Sequence, residues 1–209
     1  MLIYPSLLDI NQENLESELL ALQNADADGL HYDVMDGIFV DNTAGSPQLL
    51  DEVKKYSNLP INIHLMVQDT EKYIDMYLPF QPQGLSFHVE ATKNPIPLLN
   101  KIKKNKIKAG LALDLPTDVQ TIIPYLGELD FVLIMTVKAG LGGQKFNEEG
   151  LHKAREIRNI YPYLPIHIDG GITVETAKLC QGIAQVLDTG STIYKSNNYA
   201  KTIKELKEE

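Results

Sequence analysis

Eight short apolar runs recur along the chain and alternate with longer amphipathic segments. Each run has the length of one strand and is rich in Ile, Leu or Val, which is typical of parallel strands buried on both faces. The predicted strands are 2–5, 29–34, 61–66, 84–88, 108–113, 131–135, 166–168 and 184–189. The predicted helices are 14–22, 47–56, 71–78, 96–104, 117–126, 148–160, 174–180 and 199–207. This alternation implies parallel strands joined by right-handed helical crossovers.

The number of these units favours one architecture. Eight strand–helix units in 209 residues match a closed (β/α)8 barrel, which begins at roughly 200 residues. The alternative is an open doubly wound sheet, but no Gly-x-Gly-x-x-Gly turn follows the first predicted strand. We find no linker or low-complexity segment in the sequence. We therefore predict an α/β fold, with a single eight-stranded parallel TIM barrel spanning residues 1–209 as one catalytic domain.

The net charge of the chain limits the classes of partner that it can bind. A net charge of -9 makes the surface repel nucleic-acid phosphates and anionic membranes, so we expect neither as a partner. The one cysteine, Cys180, excludes an intramolecular disulfide. The sequence shows no basic leader and no apolar run long enough for a transmembrane helix, so we expect a cytoplasmic protein. An anionic substrate would have to be attracted locally, by backbone N–H groups or a metal.

Histidines cluster where the predicted strands end. The active site of such a barrel lies at the C-terminal ends of its strands. Four of the five histidines lie at or near these ends: His31, His64, His88 and His167. The fifth, His152, falls in a predicted helix, where we expect it to be solvated. The clustering indicates a polar site at this end of the barrel.

Four of the residues near the strand ends form a candidate metal site. His31 and Asp33 lie two residues apart, so they project from the same face of the second strand. If that face is the barrel interior, they converge with His64 and Asp169. Two imidazoles and two carboxylates suit one divalent ion such as Zn²⁺, Mn²⁺, Fe²⁺ or Co²⁺. The alternative for any single histidine is a hydrogen-bonded core residue, but buried carboxylates without a cation are costly.

Glycine-rich loops follow the last three predicted strands. Glycine lets backbone N–H groups approach an anion closely, and the loops after the last two strands are the usual phosphate site of such barrels. A tight turn is the alternative for any one glycine pair, but three such loops on one rim predict a phosphate site. The predicted phosphate-binding residues are Gly140, Leu141, Gly142, Gly143, Gly170, Gly171, Gly190 and Ser191.

The same residues suggest a reaction. A metal beside a carbonyl stabilises an enediolate and makes the adjacent C–H more acidic. Asp33 and Asp169, on well-separated strands, could remove a proton from one face and return one to the other. Met35, Met66 and Met135 lie beside the polar residues. We predict that they line the substrate and exclude water, with core filling as the alternative for each.

Nine segments combine these features in order along the chain. They are Pro5-Ser-Leu-Leu8, His31-Tyr-Asp-Val-Met-Asp-Gly37, His64-Leu-Met-Val67, His88-Val-Glu-Ala91, Gly110-Leu-Ala-Leu113, Met135-Thr-Val137, Gly142-Gly-Gln-Lys-Phe146, Ile168-Asp-Gly-Gly-Ile172 and Gly190-Ser191. Over nearly its whole length the sequence thus resembles the ribulose-phosphate 3-epimerases. The resemblance implies a TIM-barrel isomerase that uses a divalent metal to interconvert ribulose 5-phosphate and xylulose 5-phosphate. It also suggests a homo-oligomer.

The resemblance assigns roles to individual residues. It implies metal ligation by His31, Asp33, His64 and Asp169, with Asp33 and Asp169 as the acid/base pair. Ser6 and His64 would contact the substrate, and the glycine-rich loops would hold its phosphate. These are the same four ligands and the same rim that the residues themselves indicate.

Several loops depart from the family pattern. Residues 41–46 read Asp-Asn-Thr-Ala-Gly-Ser, where the family usually has Pro-Asn-x-Thr-Phe-Gly, and 138–141 read Lys-Ala-Gly-Leu for Asn-Pro-Gly-Phe. Asp188 and Thr189 stand where small residues are usual. The catalytic positions are unchanged but the loops over the site differ, so a longer ketose phosphate such as allulose 6-phosphate is the alternative substrate.

Two other functions fit parts of the pattern. Lys138, just past the sixth predicted strand, could form a Schiff base in an aldolase, but that chemistry does not need two histidines and two aspartates. A catalytically silent barrel that binds a phosphorylated ligand would fit the altered loops. Retention of every catalytic side chain argues against it.

Overall fold

Eight parallel strands curl into a barrel in the computed structural model, which describes residues 1–208. The strands are β1 (Leu2–Pro5), β2 (Leu30–Asp36), β3 (Thr43–Ala44), β4 (Ile61–Met66), β5 (Gly84–His88), β6 (Lys108–Leu113), β7 (Phe131–Met135), β8 (Ile166–Asp169) and β9 (Val186–Thr189). The sheet runs β1-β9-β8-β7-β6-β5-β4-β2-β3. A parallel bridge between Ser6 and His31 closes the ring between β1 and β2. The predicted (β/α)8 barrel is confirmed; β3 is an addition, a two-residue strand antiparallel to the end of β2.

Helices cover the outside of the barrel. They are α1 (Leu15–Asn24), α2 (Pro47–Tyr56), α3 (Thr70–Tyr77), α4 (Ile96–Lys104), α5 (Glu148–Ile160), α6 (Val174–Leu179), α7 (Ser191–Tyr194) and α8 (Tyr199–Lys207). Polar side chains begin several of them: the Ser46 side chain accepts a hydrogen bond from the N–H of Leu49 at the start of α2, which satisfies an otherwise free donor. Each longer helix buries one apolar stripe, such as Leu99 and Ile102 of α4.

The predicted helix at 117–126 is wrong. Two 3-10 segments, Val119–Thr121 and Ile123–Glu128, stand in its place. Pro124 explains the difference, because proline has no N–H to donate and its ring obstructs an α-helical turn. Ile122 and Leu126 are nevertheless buried, so the segment still packs against the barrel before β7 begins.

Alternation along the strands separates the core from the site. On β2, Leu30, Tyr32 and Val34 belong to the main apolar core between barrel and helices. The intervening residues His31, Asp33 and Met35 therefore project into the barrel. Both faces are buried, which is why the strands read as continuous apolar runs apart from these polar residues. Within residues 1–208, we find no helix with the length and hydropathy needed to cross a bilayer.

Candidate active site

One pocket opens at the C-terminal ends of the barrel strands. Asp33 and Asp169 lie in its wall, together with every residue predicted to contact substrate or phosphate except His64. The remaining lining residues are Leu8, Asp9, Val137, Gln144, Ile172, Asp188 and Thr189. The structure thus brings together residues from both ends of the chain around one space.

The predicted metal ligands converge at the floor of this pocket. Asp33 Oδ1 lies 3.0 Å from His31 Nε2 and 3.1 Å from His64 Nδ1. Asp169 Oδ2 lies 3.6 Å from each of these imidazole nitrogens. Register explains part of the convergence, because Asp33 on β2 is paired with His64 on β4.

The four side chains fit a divalent cation. One ligand atom from each lies within 4.8 Å of all the others. Ligands at 2.0–2.2 Å from a common ion are at most about 4.4 Å apart, so only a small inward movement is required. Two nitrogens and two carboxylate oxygens are a donor set suited to Zn²⁺ and other first-row divalent ions.

The two carboxyl groups differ in their ease of ionisation. Burial opposes ionisation of Asp33, but His31 and His64 outweigh it and lower its pKa. At Asp169, burial together with repulsion from Asp33 and Asp188 raises the pKa, and His31 offsets this only in part. Paired carboxyl groups with pKa values pushed apart are suited to opposite acid and base roles.

The two imidazoles also differ. Burial lowers the pKa of His64 to about 4, so this ring is neutral and able to act as a ligand. Burial acts in the same direction on His31, but the surrounding carboxylates of Asp188, Asp33 and Asp169 outweigh it and raise its pKa. Without a cation the site holds protons to balance its buried carboxylates, and a metal would displace them.

A third carboxylate, that of Asp188, lies behind His31. Asp188 Oδ1 is 3.2 Å from His31 Nδ1, and Asp188 Oδ2 is 3.5 Å from His167 Nδ1. Asp188 is 0% exposed. None of these four atoms has a hydrogen-bond partner of good geometry, so the contacts of Asp188 with the two imidazoles are mainly electrostatic. Burial opposes its ionisation, but His31 and His167 outweigh this and lower the pKa of Asp188 to about 2. In the sequence, Asp188 was noted only as a departure from the family pattern. A charged residue within an apolar strand was the signal that could have indicated its role.

The far side of His64 faces another histidine. His64 Nε2 lies 2.9 Å from His88 Nε2, and His88 Nδ1 lies 3.2 Å from Glu90 Oε2. The Phe39 ring packs on His88 with centroids 4.9 Å apart. Burial opposes ionisation of Glu90, but the hydrogen bond with His88 outweighs it and lowers the pKa of Glu90 to about 2. The sequence placed His88 near a strand end and both residues in one of the nine segments, but it indicated a role for neither.

Ser6 is held on a carboxylate of the site. Its hydroxyl donates to Asp33 Oδ2 at 2.7 Å and accepts from the N–H of Leu8 at 3.2 Å. Because Ser6 also forms the bridge that closes the barrel, ring closure and the position of Asp33 are linked. A substrate contact by this hydroxyl would have to share it with Asp33.

Backbone rather than side chains forms the opposite end of the pocket. Gly140, Gly143, Gly170 and Gly171 all have positive φ angles, between 64° and 110°, which other residues adopt only with strain. At Gly171 a Cβ atom would lie 2.3 Å from the backbone nitrogen of Phe146. Among the lining residues described, four carry carboxylates and none is lysine or arginine, so an anion here would depend on N–H groups.

Asp9 lies directly over this glycine rim. Its side chain is exposed, and its oxygens come within 3.0 Å of a Cβ position on Gly142 and 3.1 Å of one on Gly190. A carboxylate among the predicted phosphate-binding loops was not anticipated from the sequence. It places a like charge where an anionic group would enter.

The methionines form the apolar part of the wall. Met35, Met66 and Met135 are buried and pack in one cluster with Ala112 and Leu133 inside the barrel. They also line the pocket, so they are both core and site residues. Lys138 is exposed and lies in an adjacent depression with Glu90 and Asp114, not among the residues that line this pocket.

Comparison with known proteins is consistent with this site. The family model described as the ribulose-phosphate 3 epimerase family matches residues 2–194. Ribulose-phosphate 3-epimerase of Bacillus subtilis is 35% identical, covering 98% of this chain and 97% of that protein. The protein of that name from Eremothecium gossypii is 33% identical, covering 99% of this chain and 92% of that protein.

Solved structures of more distant proteins share the fold. KGPDC from Streptococcus mutans, in complex with D-R5P, aligns with a TM-score of 0.72 and 16% identity over 98% of this chain and 94% of that one. The 3-hexulose-6-phosphate synthase of Salmonella typhimurium aligns with a TM-score of 0.73 and 13% identity, over 99% and 96%. At these identities the likeness concerns the barrel alone. The family match and the two close relatives, over nearly the whole chain, show that this protein belongs to the ribulose-phosphate 3-epimerase family.

Proposed function

We propose that this protein is a metal-dependent epimerase that interconverts ribulose 5-phosphate and xylulose 5-phosphate by inverting C3. The observation that carries the proposal is the four-residue cluster at the pocket floor, where two carboxylates of opposite ionisation tendency meet two imidazoles. Membership of the epimerase family supports the same reaction.

His31, Asp33, His64 and Asp169 would hold the metal. A bound divalent ion would draw electron density from the substrate carbonyl and so acidify the neighbouring C3–H. His31 Nδ1 faces the Asp188 carboxylate, which leaves His31 Nε2 free to act as a ligand. A carboxylate behind a ligating histidine is the usual arrangement at such sites.

Asp33 and Asp169 would transfer the protons. In the metal-free site the pKa of Asp33 is lowered and that of Asp169 is raised, so the two carboxyl groups differ in ease of ionisation before a metal binds. One carboxylate removes the C3 proton from one face of the sugar, leaving a planar enediolate, and the other returns a proton to the opposite face. The reverse reaction exchanges the two roles. Met35, Met66 and Met135 would cover the planar intermediate and exclude water.

The glycine rim would bind the phosphate group. The loops at Gly140 to Gly143, Gly170 and Gly171, and Gly190 and Ser191 lie at the far end of the same pocket. Backbone N–H groups there can bind an anion without a lysine or arginine. The spacing between this rim and the metal end would select the length of the ketose phosphate.

Isotope exchange tests the reaction directly. The purified protein, loaded with Zn²⁺ or Mn²⁺, is incubated with ribulose 5-phosphate in D₂O, and C3 is followed by NMR. We expect deuterium at C3 together with xylulose 5-phosphate, and neither product in chelated protein. Absence of exchange in every metal-loaded form would overturn the proposal. Faster turnover of allulose 6-phosphate would correct the substrate while keeping the reaction.

A further inference from the structure

A line of three side chains leads from the metal end to the barrel surface. His64 directs Nδ1 toward Asp33 and Asp169, and its Nε2 lies 2.9 Å from His88 Nε2. His88 in turn directs Nδ1 toward Glu90 Oε2 at 3.2 Å. The two histidines are 0% exposed, whereas the Glu90 side chain is 22% exposed.

With His88 as a neutral ring, hydrogen-bond chemistry relates the proton positions along this line. A carboxylate can only accept, so His88 donates from Nδ1 to Glu90. A neutral His88 then has a lone pair on Nε2, and it accepts from His64 Nε2–H. This leaves the lone pair of His64 on Nδ1, the atom that faces the metal end. The three residues therefore favour the single tautomer of His64 that can act as a ligand.

The opposite tautomer has its own attraction. Asp33 Oδ1 lies 3.1 Å from His64 Nδ1 and would accept a proton held there in the metal-free protein. That tautomer cannot bind a metal through Nδ1. Without an acceptor on its far side, His64 would lose part of its bias toward the ligand form.

Glu90 and His88 each have a further contact outside the line. Glu90 Oε1 accepts from the N–H of Asp114 at 2.9 Å, which fixes the carboxylate at the end of β6. The Phe39 ring packs on the His88 ring at a tilt of 43°, with centroids 4.9 Å apart. Neither contact depends on a metal or a substrate.

From this geometry we propose that Glu90 and His88 are positioning residues that act as a relay, fixing the tautomer and orientation of His64 for metal binding. The inference rests on the proposed metal site and adds two residues that support its ligand His64. Loss of such a hydrogen-bonding partner typically weakens metal affinity by about 10–100-fold. Because Glu90 acts only through His88, the two residues should behave as one unit.

The test measures metal affinity rather than turnover. Zn²⁺ is titrated against a chromophoric chelator with the wild type, Glu90→Ala, His88→Phe and the double variant. Phenylalanine keeps a stacking ring but cannot accept from His64. We expect each single variant to lose about 10–100-fold in affinity, and the double variant to lose no more than His88→Phe alone. Glu18→Ala is the control, because Glu18 accepts a 2.7 Å hydrogen bond from Tyr199 at a distant site; its affinity should be unchanged.

A second measurement reports the tautomer itself. In metal-free protein with ¹⁵N-labelled histidine, we expect Glu90→Ala to have a larger fraction of His64 protonated on Nδ1 than the wild type has. Loss of stability alone would not produce this shift. Wild-type affinity in both single variants, additive losses in the double variant, or an unchanged tautomer would each overturn the relay. Since no substrate is present, failure of the epimerase assay leaves this test intact.

Discussion

The two ends of the pocket are formed by different parts of the protein, side chains at one end and backbone at the other. At the metal end, side chains of β2, β4 and β8 meet in a buried cluster. His31 has the Asp188 carboxylate behind it, and His64 has His88 and then Glu90. At the proposed phosphate end, glycine loops supply backbone groups, and Asp9 adds a negative charge. In the proposed function, metal binding would thus depend on fixed side chains, whereas phosphate binding would depend on backbone shape. Substitutions at the two ends should therefore fail in different ways.

The largest effect is expected from the carboxylates of the metal end. Asp33→Asn and Asp169→Asn should each lower kcat at least ~10²-fold, because each removes a group that transfers a proton. Metal content must be measured alongside, since both residues are also proposed ligands. A variant that holds metal and keeps wild-type kcat would exclude its residue from proton transfer.

Metal removal should affect stability as well as activity at this end. Chelation should abolish epimerisation and lower the Tm, because the buried carboxylates lose their cation. Restoring Zn²⁺ to 100 times its Kd should add about 2.7 kcal/mol. In His31→Ala the Zn²⁺-dependent rise in Tm should shrink. An equal Tm with and without Zn²⁺ would contradict the proposed metal site.

At the phosphate end, shape rather than charge should decide the outcome. Gly171→Ala places a Cβ 2.3 Å from the Phe146 nitrogen at a φ of +64°, so we expect a loss of about 1–3 kcal/mol and a higher KM. Gly143→Ala is the matched control, because its φ is +69° but no atom lies within 4 Å. It should cost about 1 kcal/mol at most. Equal effects in denaturant unfolding would show that the loop contact at Gly171 is unimportant.

The smallest effect is expected from substitution of Asp9, which should improve substrate binding. Two charges about 4 Å apart in water repel by about 1 kcal/mol, so Asp9→Asn should lower the KM for ribulose 5-phosphate about fivefold, with kcat unchanged. The gain should fade at high salt, which screens the repulsion. The control is Asp51→Asn, an exposed acid on α2. An unchanged or higher KM would show that Asp9 does not oppose the phosphate.

The same contrast explains what the sequence could predict. The barrel followed from the repetition of apolar runs, and the expected metal cluster followed from the same-face spacing of His31 and Asp33 on one strand. These signals are local, or depend only on parallel strands sharing one edge. The pairing of Asp188 with His31, and of His88 with His64, depends on side-chain direction inside the barrel. Asp9 reaches the rim only because the first and last strands are neighbours, which no local pattern contains.

The helix predicted at 117–126 failed for a different reason. Its apolar spacing was sound, since Ile122 and Leu126 are buried. Pro124 decided the local conformation instead. Burial pattern therefore predicted which side faces the barrel, while backbone chemistry determined the type of helix.

Exchange without epimerisation is the most direct test of two carboxylates acting from opposite sides. Metal-loaded Asp33→Asn and Asp169→Asn are each incubated with ribulose 5-phosphate and, separately, xylulose 5-phosphate in D₂O, and C3 is followed by NMR. Each variant keeps one carboxylate, so we expect each to exchange the C3 proton of one epimer only, the two variants acting on opposite epimers. Exchange of the same epimer by both variants, or full epimerisation by either one, would contradict the two-carboxylate account.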